Sequence, residues 1–485
     1  FPVVARDILA RHAWFGAELR GVPYRNKPPL YPWTIAVASW PAGRVTEITA
    51  RLPGALAALG AAAVTCLLGA RLFGPRAGLW AGLMLVTSIL FFDHALVTIP
   101  DLEMLVCDLL AGLALWRVGN GGGRPALLGF YAALALAVFT KSLPGLLPLA
   151  VGLVWLAVDD GRRGVRRLVW MPGIVVFALI SAVWAIPYAQ SARFASDVAW
   201  HDWLQDPLGL LVPGTLVQQL ASFGLGFLPW ALLLPAALVA AMRARRVRAV
   251  SFALCWFLVQ VVCILGVQQQ RVRYLLPFLP GAALLVAWWA DREASASHAR
   301  PSLALTALGV ALAATFALPV ALRRLDTTAV APAGEIAAVV LGVLGVAVIA
   351  AFSLWTGRLA QGIPLVAATS ALVLFAGGWI VEDWAHRAWD YAGVADRLRA
   401  APSSLAVATL ADDHELLQVD FYLGRSLAPL HSPEAVRDHL ARAGAAVLVE
   451  GPRWRDAERW LPIDPRRLRI EALRADVVLV TDAPR

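Results

Sequence analysis

Apolar runs of about 17–22 residues succeed one another from residue 52 to residue 380, each long enough, or nearly so, to cross a bilayer core of roughly 30 Å. They lie near 52–72, 76–92, 98–117, 125–140, 142–158, 168–189, 223–242, 249–268, 274–290, 303–322, 335–356 and 361–380. Lipid offers no hydrogen bonds to a backbone, so runs of this kind must become helices, and the reading is an all-α polytopic membrane bundle of about twelve spans. Composition agrees: 59% of the 485 residues are hydrophobic, 15% are charged, and the mean hydropathy is +0.67. A soluble protein of this length would need far more polar surface.

The net charge of +9 would suit a nucleic-acid partner if it formed a patch, but the arginines sit between apolar runs. With residues 1–50 outside, the inner loops carry Arg71 and Arg76, then Arg117 and Arg124, then Arg162, Arg163, Arg166 and Arg167, then Arg243, Arg245, Arg246 and Arg248. The outer loops are poorer in basic residues, which fixes the orientation and excludes nucleic acid as the reason for the charge. Lys27, Lys141, Arg271 and Arg273 are then cations on the side that disfavours them. Each has two readings, contact with lipid headgroups or a functional site.

Residues 1–50 contain no span. Residues 3–15 mix Arg6, Asp7, Arg11 and His12 with apolar and aromatic side chains, and Leu30 to Trp40 carries Tyr31, Trp33 and Trp40. Both stretches read as helices lying in the membrane interface. After residue 380 the chain turns polar, and strand-like runs (405–409, 445–450, 469–473, 477–481) alternate with helix-like ones (414–423, 433–443). The expected division is therefore 1–50, outer interfacial helices; 51–380, the bundle; 381–485, a small outer α/β domain. That domain lacks a phosphate-cradling glycine loop. All four cysteines lie in apolar runs and show no metal spacing, so they read as buried thiols; no cofactor is expected, and a divalent metal stays open but is not indicated.

Three groups of residues could carry chemistry. Asp101 and Glu103 open the third run, with Asp108 two turns deeper, seven positions from Asp101 and on the same helical face. Such carboxylates are costly in a membrane and are either functional or held by polar groups inside the bundle. Arg271, Arg273 and Tyr274 follow Gln268, Gln269 and Gln270 at a span boundary, a multi-donor grip suited to phosphate. Lys27 and Lys141 could join it. Asp412, Asp413, His414 and Glu415 read as an acidic helix start rather than a metal cluster.

These residues resemble the integral-membrane glycosyltransferases of the GT-C class, specifically the aminoarabinose lipid A transferases and the protein O-mannosyltransferases. The run Tyr24-Arg25-Asn26-Lys27-Pro28-Pro29-Leu30-Tyr31 is similar to that family's Tyr-x-x-Lys-Pro-Pro-Leu segment. Arg51-Leu52-Pro53-Gly54, Asp101 at the start of a span, Leu228-Pro229-Trp230 and Arg273-Tyr274-Leu275-Leu276-Pro277 follow in the family's order. The resemblance implies transfer of a sugar from a polyprenyl-phosphate donor to a lipid, glycan or protein acceptor at the outer face of a bacterial inner membrane. Membrane lipids would be partners. Lys27 and Arg273 would hold the donor phosphate, with Arg271 and Tyr274 assisting. Asp101 would orient Lys27 or the acceptor, and Tyr24, Glu103 and Lys141 would line the substrate cavity. The family's general-base aspartate would fall about four residues before Phe1, together with a preceding span, so the chain as printed is expected to lack it. Two other readings stay open: a flippase or transporter of lipid-linked glycans, for which internal repeats would be expected, and a non-catalytic relative.

Overall fold

The computed structural model describes residues 1–24, 26–190, 213–265, 271–295, 359–388, 390–411, 416–458, 468–474 and 476–482. The chain divides into two compact units: Phe1 with Arg25–Ile380, and Pro2–Tyr24 with Val381–Arg485. The first elements, α1 (Pro2–Arg11), β1 (Glu18–Leu19) and β2 (Val22–Pro23), fall in the second unit.

The first unit runs through α2 (Leu30–Ser39), α3 (Glu47–Phe73), α4 (Pro75–Val86), α5 (Ile89–Leu96), α6 (Asp101–Gly119), α7 (Gly123–Lys141), α8 (Leu147–Arg166) and α9 (Met171–Ala189). It continues with α10 (Pro213–Gly226), α11 (Leu234–Arg243), α12 (Arg248–Leu265) and α13 (Phe278–Ser295); α14 (Leu359–Ala388) leads out of it. This is an all-α polytopic membrane bundle. Among the described residues, four helical segments are long and apolar enough to span (α3, α7, α8 with the 3-10 turn before it, and α9), or five if α4 and α5 count as one. That is fewer than the twelve read from sequence. The runs 303–322 and 335–356 lie outside the described residues. Others form shorter helices, and α6 carries Asp101, Glu103, Asp108 and Arg117 along its 19 residues.

The run 76–92 is interrupted by a bend of 60° between α4 and α5. The Thr87 and Ser88 hydroxyls donate back to the carbonyls of Leu83 and Leu85, at 2.6 and 2.7 Å. Back-bonding of this kind competes with the helix ladder and bends it. The Trp230 indole N–H then donates to the Thr87 hydroxyl at 3.0 Å. Elsewhere the bundle closes by removing side chains. A Cβ on Gly78 would come within 2.4 Å of the Cys66 carbonyl and the Ala70 nitrogen, so α4 can lie against α3 only with glycine there. At the far end of α8, Arg248 ties three helices together: its guanidinium donates to the Gly119 carbonyl at 2.8 Å and to Asp160 at 2.7 Å.

The second unit is a small α/β domain. Its elements are α15 (Tyr391–Ala400), β3 (Ala406–Leu410), α16 (Leu417–Leu423), β4 (Ala428–Leu430), α17 (Pro433–Leu440), β5 (Ala445–Glu450), α18 (Gly451–Glu458), β6 (Leu468–Ala472) and β7 (Val477–Asp482). The sheet order is β4-β3-β5-β7-β6, with β4, β3 and β5 parallel and β7 antiparallel to both β5 and β6. β5 is buried from Ala445 to Val449, as the unbroken apolar run of a central strand should be. The acidic group at 412–415 lies outside the described residues.

Candidate functional site

The site begins where two helices end. Asp101 opens α6 immediately after Pro100, in a first turn that favours carboxylates through the helix dipole. Lys141 closes α7, and its ammonium donates to Asp101 Oδ1. Both side chains are buried, Asp101 2% and Lys141 6% exposed. The chain leaves α7 through Ser142, a non-glycine residue at φ 59°, a conformation that costs about 1–3 kcal/mol and clusters at functional sites. Gly145 then presses on α7, where a Cβ would meet the Ala137 carbonyl carbon at 2.4 Å. The tight turn is what presents Lys141 at the helix end.

A third segment meets this pair. Tyr274, in the 3-10 turn Val272–Leu275 before α13, places its ring 4.8 Å from the Lys141 ammonium. The Arg273 guanidinium lies 5.9 Å from the centre of the same ring. Arg273 Nε is buried and has no hydrogen-bond acceptor among the described residues. Buried polar groups are nearly always paired, so such an atom needs a reason. Among the described residues, Asp101 is the one carboxylate ion-paired with either of these two cations, and it is bound to Lys141. The cluster therefore keeps a cation to offer an anionic group. Arg271 does not share this environment; its side chain is exposed.

Around the cluster, α2 contributes two groups that the sequence did not single out. Tyr31 is fully buried, and its hydroxyl has no partner among the described residues. Burial raises its pKa, and the charges of Glu103 and Asp101 raise it further. The Thr34 hydroxyl lies 2.8 Å from the Tyr31 carbonyl and 3.3 Å from Glu103 Oε2, which brings Glu103 to α2. Lys27 is half-buried in the loop before α2, where its carbonyl accepts from the Tyr188 hydroxyl at 3.3 Å. That loop is held to the Lys141 end of α7 through Trp33 on Phe139 (5.2 Å), Phe139 on Trp184 (6.2 Å) and Trp184 on Tyr188 (5.7 Å). Asp108, deeper on α6, is 1% exposed, and neither oxygen has a hydrogen-bond partner among the described residues. Tyr24 belongs to the second unit, where its N–H donates to the Ala17 carbonyl at 2.9 Å. Gln268, Gln269, Gln270 and Arg25 lie outside the described residues.

Asp101, Glu103, Lys141, Arg273 and Tyr274 thus share one neighbourhood. The Asp101–Lys141 pairing joins residues 40 positions apart on different helices, and no spacing announces it. Tyr31 was visible only as an interfacial aromatic and as the end of the lysine-proline-proline run. Among the described residues, no group of three or more His, Cys, Asp and Glu side chains is placed to hold a metal.

The family model for dolichyl-phosphate-mannose-protein mannosyltransferase matches residues 26–186, which include Lys27, Asp101 and Lys141. An undecaprenyl phosphate-alpha-4-amino-4-deoxy-L-arabinose arabinosyl transferase of Edwardsiella ictaluri is 26% identical over 314 residues, 60% of this chain and 54% of that one. Its namesake in Pectobacterium carotovorum is 26% identical over 344 residues, 66% of this chain and 59% of that one. The chain matches little more than half the length of these relatives. Among solved structures, ArnT from Cupriavidus metallidurans bound to undecaprenyl phosphate superposes with a TM-score of 0.81 at 21% identity, over 99% of this chain and 92% of that one. The chain shares the fold of that ArnT structure.

Proposed function

We propose that this chain is a polyprenyl-phosphate-dependent glycosyltransferase that moves a sugar to lipid A or another envelope glycan at the outer face of a bacterial inner membrane. The observation that carries the reading is the cluster of Arg273, Lys141 and Tyr274, with Arg273 Nε buried and lacking an acceptor among the described residues. It is supported by the named activities of the relatives and by the solved homologous fold, which holds a polyprenyl phosphate.

In this reading Lys27 and Arg273 hold the phosphate that leaves the sugar. Negative charge grows on that phosphate as the glycosidic bond breaks, so a preorganised guanidinium lowers the barrier more than it tightens ground-state binding. The Tyr274 hydroxyl adds a hydrogen bond. Asp101 acts as a positioning residue rather than an acid or base, because its carboxylate is committed to Lys141. Lys141 in turn fixes the Tyr274 ring. Holding two lipid-borne reactants in one cavity supplies further acceleration through orientation. The proposal includes the layout read from sequence: outer helices in 1–50, about twelve spans in 51–380, and an outer domain in 381–485.

Membranes carrying the protein, supplied with radiolabelled polyprenyl-phosphate sugars, test it. Label should pass to extractable glycolipid, and Lys27→Ala and Arg273→Ala should stop the transfer while the protein still inserts. Near-normal turnover in both variants would overturn the assigned roles.

A further inference from the structure

The second unit holds a cavity of about 330 Å³, framed by α1, the β1–β2 hairpin and the turn after α16. Four guanidinium groups line it, from Arg6, Arg11, Arg20 and Arg425. Three carboxylates stand against them, and all three are taken. Arg11 grips both oxygens of Asp7 at 2.6 Å and reaches Glu18 at 3.3 Å. Asp7 Oδ2 also accepts the Glu18 N–H at 2.7 Å. Arg20 Nε donates to Asp420 Oδ2 at 2.7 Å, a pair 5% and 0% exposed.

Arg6 donates instead to neutral acceptors, the Asp420 carbonyl at 2.5 Å and the Ser426 hydroxyl at 3.3 Å. Burial pulls its pKa down, and Asp420 and Asp7 only partly offset this. Arg425 is exposed and has no carboxylate partner among the described residues. So the four arginines and three carboxylates leave one positive charge in excess, and the arginines without a carboxylate partner among the described residues, Arg6 and Arg425, line the cavity together with Ser426, whose hydroxyl Arg6 reaches. The size suits a small charged headgroup, at the lower end of ligand cavities.

We propose that this cavity binds a phosphate monoester through Arg6, Arg425 and Ser426, as a second anion site independent of the donor site. A dianion with three terminal oxygens can engage both forks and accept from the hydroxyl, and it would reverse the local charge excess. The site stands on the geometry of the second unit alone.

The test uses the full chain in nanodiscs of uncharged lipid, in a Lys27→Ala/Arg273→Ala background that removes the two cations assigned to the donor phosphate. Inorganic phosphate and dihexanoyl phosphatidic acid are titrated separately, with chloride and dihexanoyl phosphatidylcholine as controls. Saturable phosphate binding is expected, weakened about tenfold by Arg425→Ala and by Arg6→Lys. Similar affinities for both probes would identify a free phosphate group as sufficient; tighter phosphatidic acid binding would identify a lipid headgroup. If Arg6→Lys disturbs folding, Arg425→Ala decides, since it changes an exposed side chain. Absence of saturation beyond the chloride control, or unaltered affinity in Arg425→Ala, would overturn the proposal. Either failure leaves the donor-site reading intact, because that site is already disabled in this background.

Discussion

Two buried ion pairs, one in each unit, show how structure and site differ in this molecule. In the second unit Asp420 is completely satisfied: Oδ2 takes the Arg20 guanidinium, Oδ1 takes the Leu427 N–H at 3.1 Å, and the carbonyl takes Arg6. In the bundle, Asp101 and Lys141 form an equally buried pair, but the polar groups near it are left short. Arg273 Nε, the Tyr31 hydroxyl and both Asp108 oxygens have no hydrogen-bond partner among the described residues. A buried carboxylate with every oxygen filled fixes a fold; a cluster in which a guanidinium, a phenol and a carboxylate together stay short marks where something else is meant to bind. The Asp420 joint is read as architecture and the Asp101 cluster as a site.

The sharpest way to break this contrast is to empty one side of each pair. Lys141→Ala and Asp420→Ala each leave a buried charge uncompensated and should each cost about 3–5 kcal/mol, measured as unfolding in detergent. The two should differ in rescue: adding Asp101→Ala to Lys141→Ala should recover stability but not transfer. Recovery of both would make the bundle pair merely structural. Next in size, Arg273→Ala should lower transfer about 10²–10³-fold with little change in melting temperature. A melting temperature that falls in step with activity would move Arg273 to the architectural side. Asp108→Asn should change stability by less than about 1 kcal/mol, because the carboxylate has no hydrogen bond to lose. On transfer the smallest expected effect is that of Ser432→Ala in the second unit, where the hydroxyl caps α17 by accepting the Ala435 N–H at 3.1 Å. Its loss should cost about 1 kcal/mol and leave transfer per folded molecule unchanged.

Much of the architecture was legible because membrane crossing imposes a coarse rule on long apolar runs. The two helices before the first span, the terminal α/β domain and four of its five strands follow from hydropathy and period. What escaped has physical reasons. The strand β4 has three residues, too few to display alternation. The bend at Thr87 depends on hydroxyls turning back onto the helix, and hydropathy passes over it. The ion pairs bring together residues 40 and 400 positions apart, and only packing decides such meetings. For the site, sequence supplied the residue types: cations on the disfavoured side, carboxylates at a span's start. It set Arg271 beside Arg273 as equals, yet one is exposed and the other has a buried nitrogen, a difference made by the 3-10 turn that carries Arg273 and Tyr274.

The central claim is that the incomplete basic cluster in the bundle grips the phosphate of an isoprenoid carrier. Equilibrium binding of a polyprenyl phosphate and of the matching uncharged polyprenol, to the protein in nanodiscs, measures this most directly. The phosphate should bind at least tenfold more tightly than the alcohol, and Lys27→Ala or Arg273→Ala should erase most of that preference. Equal affinity for the two lipids, or a preference that survives both substitutions, would contradict it.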